Sequence, residues 1–161
     1  MQGKKGQNAV QRGGFNPDTV FSKILNGSLP AAFVYRDETV SAFMDIQPIN
    51  PGHVLVIPNK SARTLAELPQ STAAHMFSVG QKIAAALRRT DLACEGVNLF
   101  MADGVAAGQT VFHMHLHVFP RYTEDGFRWQ LPEKYYDPPS EDALEDVSKR
   151  IKQELAKQNL Y

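Results

Sequence analysis

The residues of this chain with the most chemical content are His113, His115 and His117, which alternate with Met114, Leu116 and Val118 ahead of Phe119. Strict alternation predicts a strand with apolar side chains on one face and polar ones on the other. Three of the five histidines fall on that polar face, which points to a site. On a regular strand alternate residues rise about 6.6 Å, which puts His113 and His117 roughly 13 Å apart at Cα. Gathering all three rings therefore requires marked strand curvature. Two neighbouring imidazoles can share a zinc ion. A row of imidazoles also suits an extended phosphate group, one ring attacking and the next contacting. Neutral imidazole is a competent nucleophile once its other nitrogen is held by a hydrogen bond. A histidine-rich surface face or an adventitious metal site is the plainer alternative.

Upstream, Asp103-Gly104-Val105-Ala106-Ala107-Gly108-Gln109-Thr110-Val111 reads as a glycine-bracketed turn. Gly108 and its small neighbours would let backbone amides approach an anion, and Thr110 offers a hydroxyl. A second block, Phe43-Met44-Asp45 through Pro51-Gly52-His53-Val54-Leu55 to Ile57-Pro58, reads as two apolar strands joined by a Pro/Gly turn. Asp45 closes the first strand and His53 opens the second. A carboxylate there could take both hydroxyls of a ribose, or cap the amides of its own turn.

With these residues in view, the chain resembles the histidine triad hydrolase and nucleotidyltransferase superfamily. The likeness spans about residues 17 to 122. It rests on the run at 113–119 with Pro120-Arg121 behind it, on Gly108-Gln109-Thr110-Val111, on the Asp45 to Pro58 block, and on Phe21-Ser22-Lys23-Ile24 with Gly27-Ser28-Leu29-Pro30. The resemblance implies an α+β domain of the histidine-triad type, with a roughly five-stranded antiparallel sheet, a long crossover helix and a C-terminal helix. It also implies a homodimer with one continuous sheet, and a purine nucleotide as substrate. In that family pattern His115 matches the nucleophile, His113 the residue that orients the site, and His117 the contact to phosphate or leaving group. His53 matches a fourth histidine beside them. Asp45 matches the ribose ligand, Thr110 the phosphate contact with Gly108, Gln109 and Val111 around it, and Phe21, Ile24, Leu29, Phe43, Met44 and Leu55 the base pocket. No cofactor or metal is expected.

Departures from the pattern are informative. Many bacterial relatives carry a Cys-x-x-Cys and a further His that hold a structural zinc; here those places are Thr19 and Ser22, and Ser61 follows Asn59-Lys60. The resemblance therefore implies no zinc site of that type. Ala102 stands where relatives often have Asn or Gln near ribose and phosphate.

The elements that must position these groups can be read in outline. At 161 residues and 17.9 kDa the length suits one folded domain. Residues 1–14 are expected to be a disordered tail, 15–122 the histidine-triad domain, and 123–161 a C-terminal loop and helix. Seventeen basic against seventeen acidic residues give no basic field for nucleic acid. One cysteine, Cys94, and the lack of an apolar leader or span predict a cytoplasmic protein with no membrane partner. Asp18 is placed to cap a helix ending at Gly27, with extended segments near 32–36, 39–45 and 53–58. A helix from Pro69 to about Arg89 carries a stripe of Met76, Gly80, Ile83 and Leu87, with Phe77 and Ala84 beside it and His75 as an ordinary helix residue. Strands follow at about 97–103 and 111–119. Ser140 opens a last helix with a Leu144, Val147, Ile151, Leu155 stripe, and Arg121 and Trp129 are candidates for the leaving-group side.

Three functions compete. One is a hydrolase or nucleotidyltransferase that cleaves AMP-X at the α-phosphate, X being a phosphoramidate amine or the remainder of a dinucleoside polyphosphate. The others are a nucleotide-binding adaptor with incidental hydrolysis, and a metallohydrolase. The last ranks lowest because the triad strand lacks a neighbouring carboxylate.

Overall fold

The computed structural model describes residues 18–158, so the expected tail at 1–14 lies outside the described residues. Five strands, β1 (Phe33–Arg36), β2 (Val40–Met44), β3 (Val54–Pro58), β4 (Gly96–Met101) and β5 (Leu116–Arg121), form one sheet in the order β1-β2-β3-β5-β4. Every neighbouring pair is antiparallel. The fold is α+β, as the resemblance implied.

The 18-residue helix α2 (Gln70–Leu87) crosses between β3 and β4 and packs on β2, β3 and β5. Its buried stripe is Met76, Val79, Gly80 and Leu87. Phe77, expected beside that stripe, is 60% exposed, because one residue turns an α-helix about 100° away from Met76. Alternation then divides each strand between two layers. Val40, Ala42, Val54, Val56, Leu116 and Val118 pack in the same cluster as Met76, Val79 and Leu87. Phe43, Leu55 and Ile57 point to the other face and pack with Phe21, on helix α1 (Val20–Leu25). The candidate site lies on this second face.

Helix α1 starts one residue later than Asp18 suggested. Thr19 is extended and its hydroxyl accepts from Ser22 N at 3.1 Å, the bond that defines an N-cap. The β2–β3 turn needs Gly52, whose φ of +98° excludes ordinary side chains and whose missing Cβ would sit 2.9 Å from Leu92. The β1–β2 turn is closed by Asp37, whose Oδ1 accepts from Thr39 N and Val40 N at 2.7 and 2.8 Å.

By its contacts the chain divides into a unit ending at Gly126 and a second beginning at Phe127. The second holds a 3-10 turn (Glu133–Tyr136) and helix α3 (Glu141–Lys157). Ser140 caps α3 by accepting from Ala143 N at 3.3 Å, and Glu145–Lys149 and Asp146–Arg150 pairs run along it. Among the described residues no helix is long and apolar enough to cross a membrane.

Candidate active site

The strand that carries the triad begins later than alternation predicted. β5 starts at Leu116, so His117 stands in the ladder while His113 and His115 precede it. The cause is local: Met114 N donates to Ala62 O at 2.7 Å instead of joining a strand partner, and the chain bends through residues 111–113. That bend supplies the curvature that three convergent imidazoles require. The His115 and His117 ring centroids lie 4.8 Å apart, and Phe21 stands edge-on to both His113 and His115 at 5.8 and 5.1 Å.

Backbone groups decide where each ring keeps its proton. A carbonyl can only accept, so His113 carries its proton on Nε2, which donates to Pro58 O at 2.8 Å. Its Nδ1 faces the Thr19 hydroxyl at 3.4 Å. His115 donates from Nδ1 to His113 O at 2.8 Å, which leaves Nε2 as a lone pair. His53 accepts from Ile49 N on Nδ1 at 3.1 Å, so its proton is on Nε2. That nitrogen is 2.9 Å from His117 Nδ1 and donates to it, leaving His117 with an Nε2–H of its own.

All four rings are held below the ordinary value of 6.5. Burial is the leading cause in each case. The Pro58 carbonyl partly offsets it at His113, the His113 carbonyl and the Asp45 charge do so at His115, and Asp45 does so at His53. His117, with His115 and His53 as further like-charged neighbours, is pushed down to about 4. Near neutrality the cluster is four neutral imidazoles.

A cavity of about 570 Å³ opens in front of His115 and His117. Of the expected pocket residues, Phe21, Ile24, Leu29, Phe43, Met44, Asp45, Leu55, Thr110 and Val111 line it. Phe43 and Leu55 belong both to the core and to the wall, at 2% and 5% exposure. His53 and His113 are not on the wall; His53 Nε2 contacts His117 Nδ1, and the His113 carbonyl holds His115 Nδ1. Gly108 and Gln109 are not among the residues that line it either. The Gly108 amide donates to Val105 O, and Gln109 is buried with its side chain bonded to Gly104 N, Arg63 O and Val111 O. They buttress Thr110 and Val111. Ala102 is packed in the fold at 3% exposure and does not reach the cavity.

Sequence reasoning missed Val20, Pro30, Ala31, Ile46 and Gln47, which also line the cavity. The helical spacing of Val20 to Ile24 was a usable signal; the neighbours of Asp45 carried none. Arg121, proposed for the leaving-group side, instead donates to Asp125 from Nε and Nη2 at 2.5 and 2.9 Å, and to Asn98 Oδ1 at 2.7 Å. Trp129 packs edge-on to Phe127.

The fold also supplies the carboxylate missing from the triad strand. Ligand atoms of Asp45, His53 and His117 all lie within 4.8 Å of one another, with Asp45 Oδ2 at 3.7 Å from His53 Nε2. A divalent ion there would need a lone pair on His53 Nε2, the nitrogen that carries the proton while Ile49 N occupies Nδ1. Asp45 uses its other oxygen to accept from Gln47 N at 2.9 Å. It thus caps its own turn and also lines the cavity.

Residues 26–124 match the family model described as HIT domain. The Bacillus subtilis protein called Protein hit is 40% identical over 140 residues, covering 85% of this chain and 94% of its own length. The crystal structure of a HIT family protein from Bacillus anthracis superposes with a TM-score of 0.78 at 37% identity, over 86% of this chain and 97% of that one. Adenylylsulfatase HINT3 of Arabidopsis thaliana is 35% identical over 123 residues, which are 76% of this chain and 62% of that protein.

Proposed function

This chain belongs to the HIT domain family, whose members bind and hydrolyse nucleotides, and from that premise we propose that it cleaves AMP-X substrates at the α-phosphate through a nucleotidyl-histidine. The observation that carries this reading is the lone pair of His115. Its Nδ1 is committed to the His113 carbonyl, so Nε2 is free to attack from the cavity wall.

The aromatic and aliphatic wall of Phe21, Ile24, Phe43 and Leu55 accepts the purine, Asp45 the ribose, and Thr110 the phosphate. His115 Nε2 forms a bond to the α-phosphorus as the P–X bond breaks. His117 donates a hydrogen bond from Nε2 to the charge that develops, in a site where water is scarce. As it departs, X takes a proton from the adjacent water; the hydroxide so formed attacks phosphorus, the N–P bond breaks, and AMP leaves with that oxygen while His115 Nε2 regains its lone pair. Low pKa values suit this scheme, since a protonated His115 has no lone pair.

Among the described residues no Lys or Arg lines the cavity. That favours a leaving group with little negative charge, a phosphoramidate amine over a polyphosphate chain. The sheet offers β1 and β4 as its edges, and β4 pairing with its copy would give the continuous-sheet homodimer. Cys94 is a free thiol, which fits a reducing, cytoplasmic setting.

The test is hydrolysis of adenosine 5′-phosphoramidate and of diadenosine polyphosphates, side by side, with chelator present. Chelator-resistant AMP release that disappears in His115→Ala supports the reading. Nucleotide binding without turnover of either substrate would overturn it in favour of an adaptor. Sedimentation near 17.9 kDa, instead of twice that mass, would remove the dimer.

A further inference from the structure

The proton that His117 presents to the cavity is fixed from behind by a backbone amide, Ile49 N, acting through His53. Ile49 sits in the β2–β3 turn, and the Asn50 side chain ties that turn to β5. Asn50 is 4% exposed, and both hydrogens of its amide are used: Nδ2 donates to Pro120 O at 2.8 Å and to Asp125 Oδ2 at 2.9 Å. Its backbone carbonyl accepts from His53 N at 3.1 Å. Asp125 is itself held by Arg121, which Asn98 accepts from in turn. Asn50 therefore ties the turn to the far end of β5, the strand that carries His117.

We propose that Asn50 is a positioning residue that fixes the tautomer of His117. With the turn pinned, the Ile49 amide stays on His53 Nδ1, the His53 proton stays on Nε2, and His117 must accept on Nδ1 and donate from Nε2 into the cavity. With the turn released, the Ile49 amide no longer decides between the two nitrogens of His53. The His53–His117 bond can then reverse, His117 donating backward from Nδ1 and turning a bare lone pair towards the phosphate. A lone pair there repels the anion that the donor would stabilise. The network of Asn50, Asp125 and Arg121 lies outside the cavity wall, so it acts only through position.

The catalytic half of this inference rests on the proposed role of His117, whereas the tautomers can be read in the free protein without turnover. Two-bond proton–nitrogen correlation spectra of the full-length, nitrogen-15-labelled protein at neutral pH are expected to show Nε2 protonated in His53 and His117 and Nδ1 protonated in His115. Protonation of His117 on Nδ1 in the wild type would overturn the proposal whatever the activity. Asn50→Ser is expected to give mixed tautomers at His53 and His117 and a kcat about 10- to 100-fold lower, with KM for the nucleotide unchanged. Wild-type tautomers and kcat in that variant would overturn it. Should Asn50→Ser not fold, Asp125→Ala removes one of the two partners of Asn50, and is expected to shift the same two rings by a smaller amount. Unshifted rings there would count equally against the proposal.

Discussion

Two histidine clusters in this molecule are built from similar parts and do different things. His115 and His117 line a cavity with His53 and His113 behind them, and a carboxylate, Asp45, is on the same wall. His75 lies on α2 with Nε2 2.6 Å from Asp37 Oδ2, and the Tyr35 hydroxyl donates to the same oxygen at 2.8 Å. His75, expected to be an ordinary helix residue, in fact fastens α2 to the β1–β2 turn. In the first cluster burial lowers every imidazole and leaves lone pairs and single N–H donors facing a cavity. In the second, water reaches both partners, which are 36% and 28% exposed. There the His75 contact holds the Asp37 carboxyl well below its usual range, aided by the Val40, Tyr35 and Thr39 donors. Environment, not residue type, separates a site from a fastening.

The sharpest way to break this contrast is His115→Ala. It is expected to remove turnover by more than about 10⁴-fold while nucleotide binding, measured by calorimetry, persists. His117→Ala should cost about 10²- to 10³-fold in kcat, the usual loss for one donor aimed at developing charge. Equal activity in either variant would reduce the buried cluster to a structural feature.

Acid should separate the two clusters by stability. The folded-state pKa values of the four buried rings lie below 6.5, so the unfolded chain binds more protons as pH falls beneath that value. Their contribution is complete above pH 6.5 and is lost on acidification, for His117 down to about pH 4. Asp37 follows the same sign in a lower range. Its contribution is present above its ordinary value of 3.8 and fades only below it. Melting temperature followed across this range should therefore begin to fall near pH 6.5, and replacing the buried rings should flatten the upper part of the curve. The smallest effect belongs to His75→Ala, expected to cost under about 1 kcal/mol in denaturant melts and nothing in turnover. A large loss of activity there would erase the distinction between the clusters.

Much of the fold and of the first cluster is legible in the sequence. The strand, helix and turn boundaries near 33–58 and 70–87 follow from alternation, helical stripes and the Pro/Gly punctuation. Eleven of the fifteen expected site residues line the cavity, and His53 and His113 stand directly behind it. What stayed hidden was direction. Nothing in the string His113-Met114-His115 says that Met114 N turns to Ala62 and bends the strand. Gln109 belongs to the site by the family pattern alone, yet three backbone partners draw its side chain inward. Asp37 and His75 are 38 residues apart, and only the packing of α2 on the sheet joins them.

Gly80 leaves a mark that a comparison of the two clusters does not reach. A Cβ at this helix position would stand 2.8 Å from Leu116 and 3.4 Å from Val118, the residues that flank His117 on the opposite side of the strand. The helix therefore sits close on the sheet at Gly80, and the rear of the sheet leaves little room for a side chain there. In a saturation library selected for turnover, position 80 should be as depleted of substitutions as many wall positions, although it lies a full sheet thickness away from the substrate. Alanine requires the Leu116 methyl to move aside, and larger side chains are expected to cost about 1–3 kcal/mol by overpacking. A bulky variant there would look harmless on a map of the pocket and still press on the strand that carries His117.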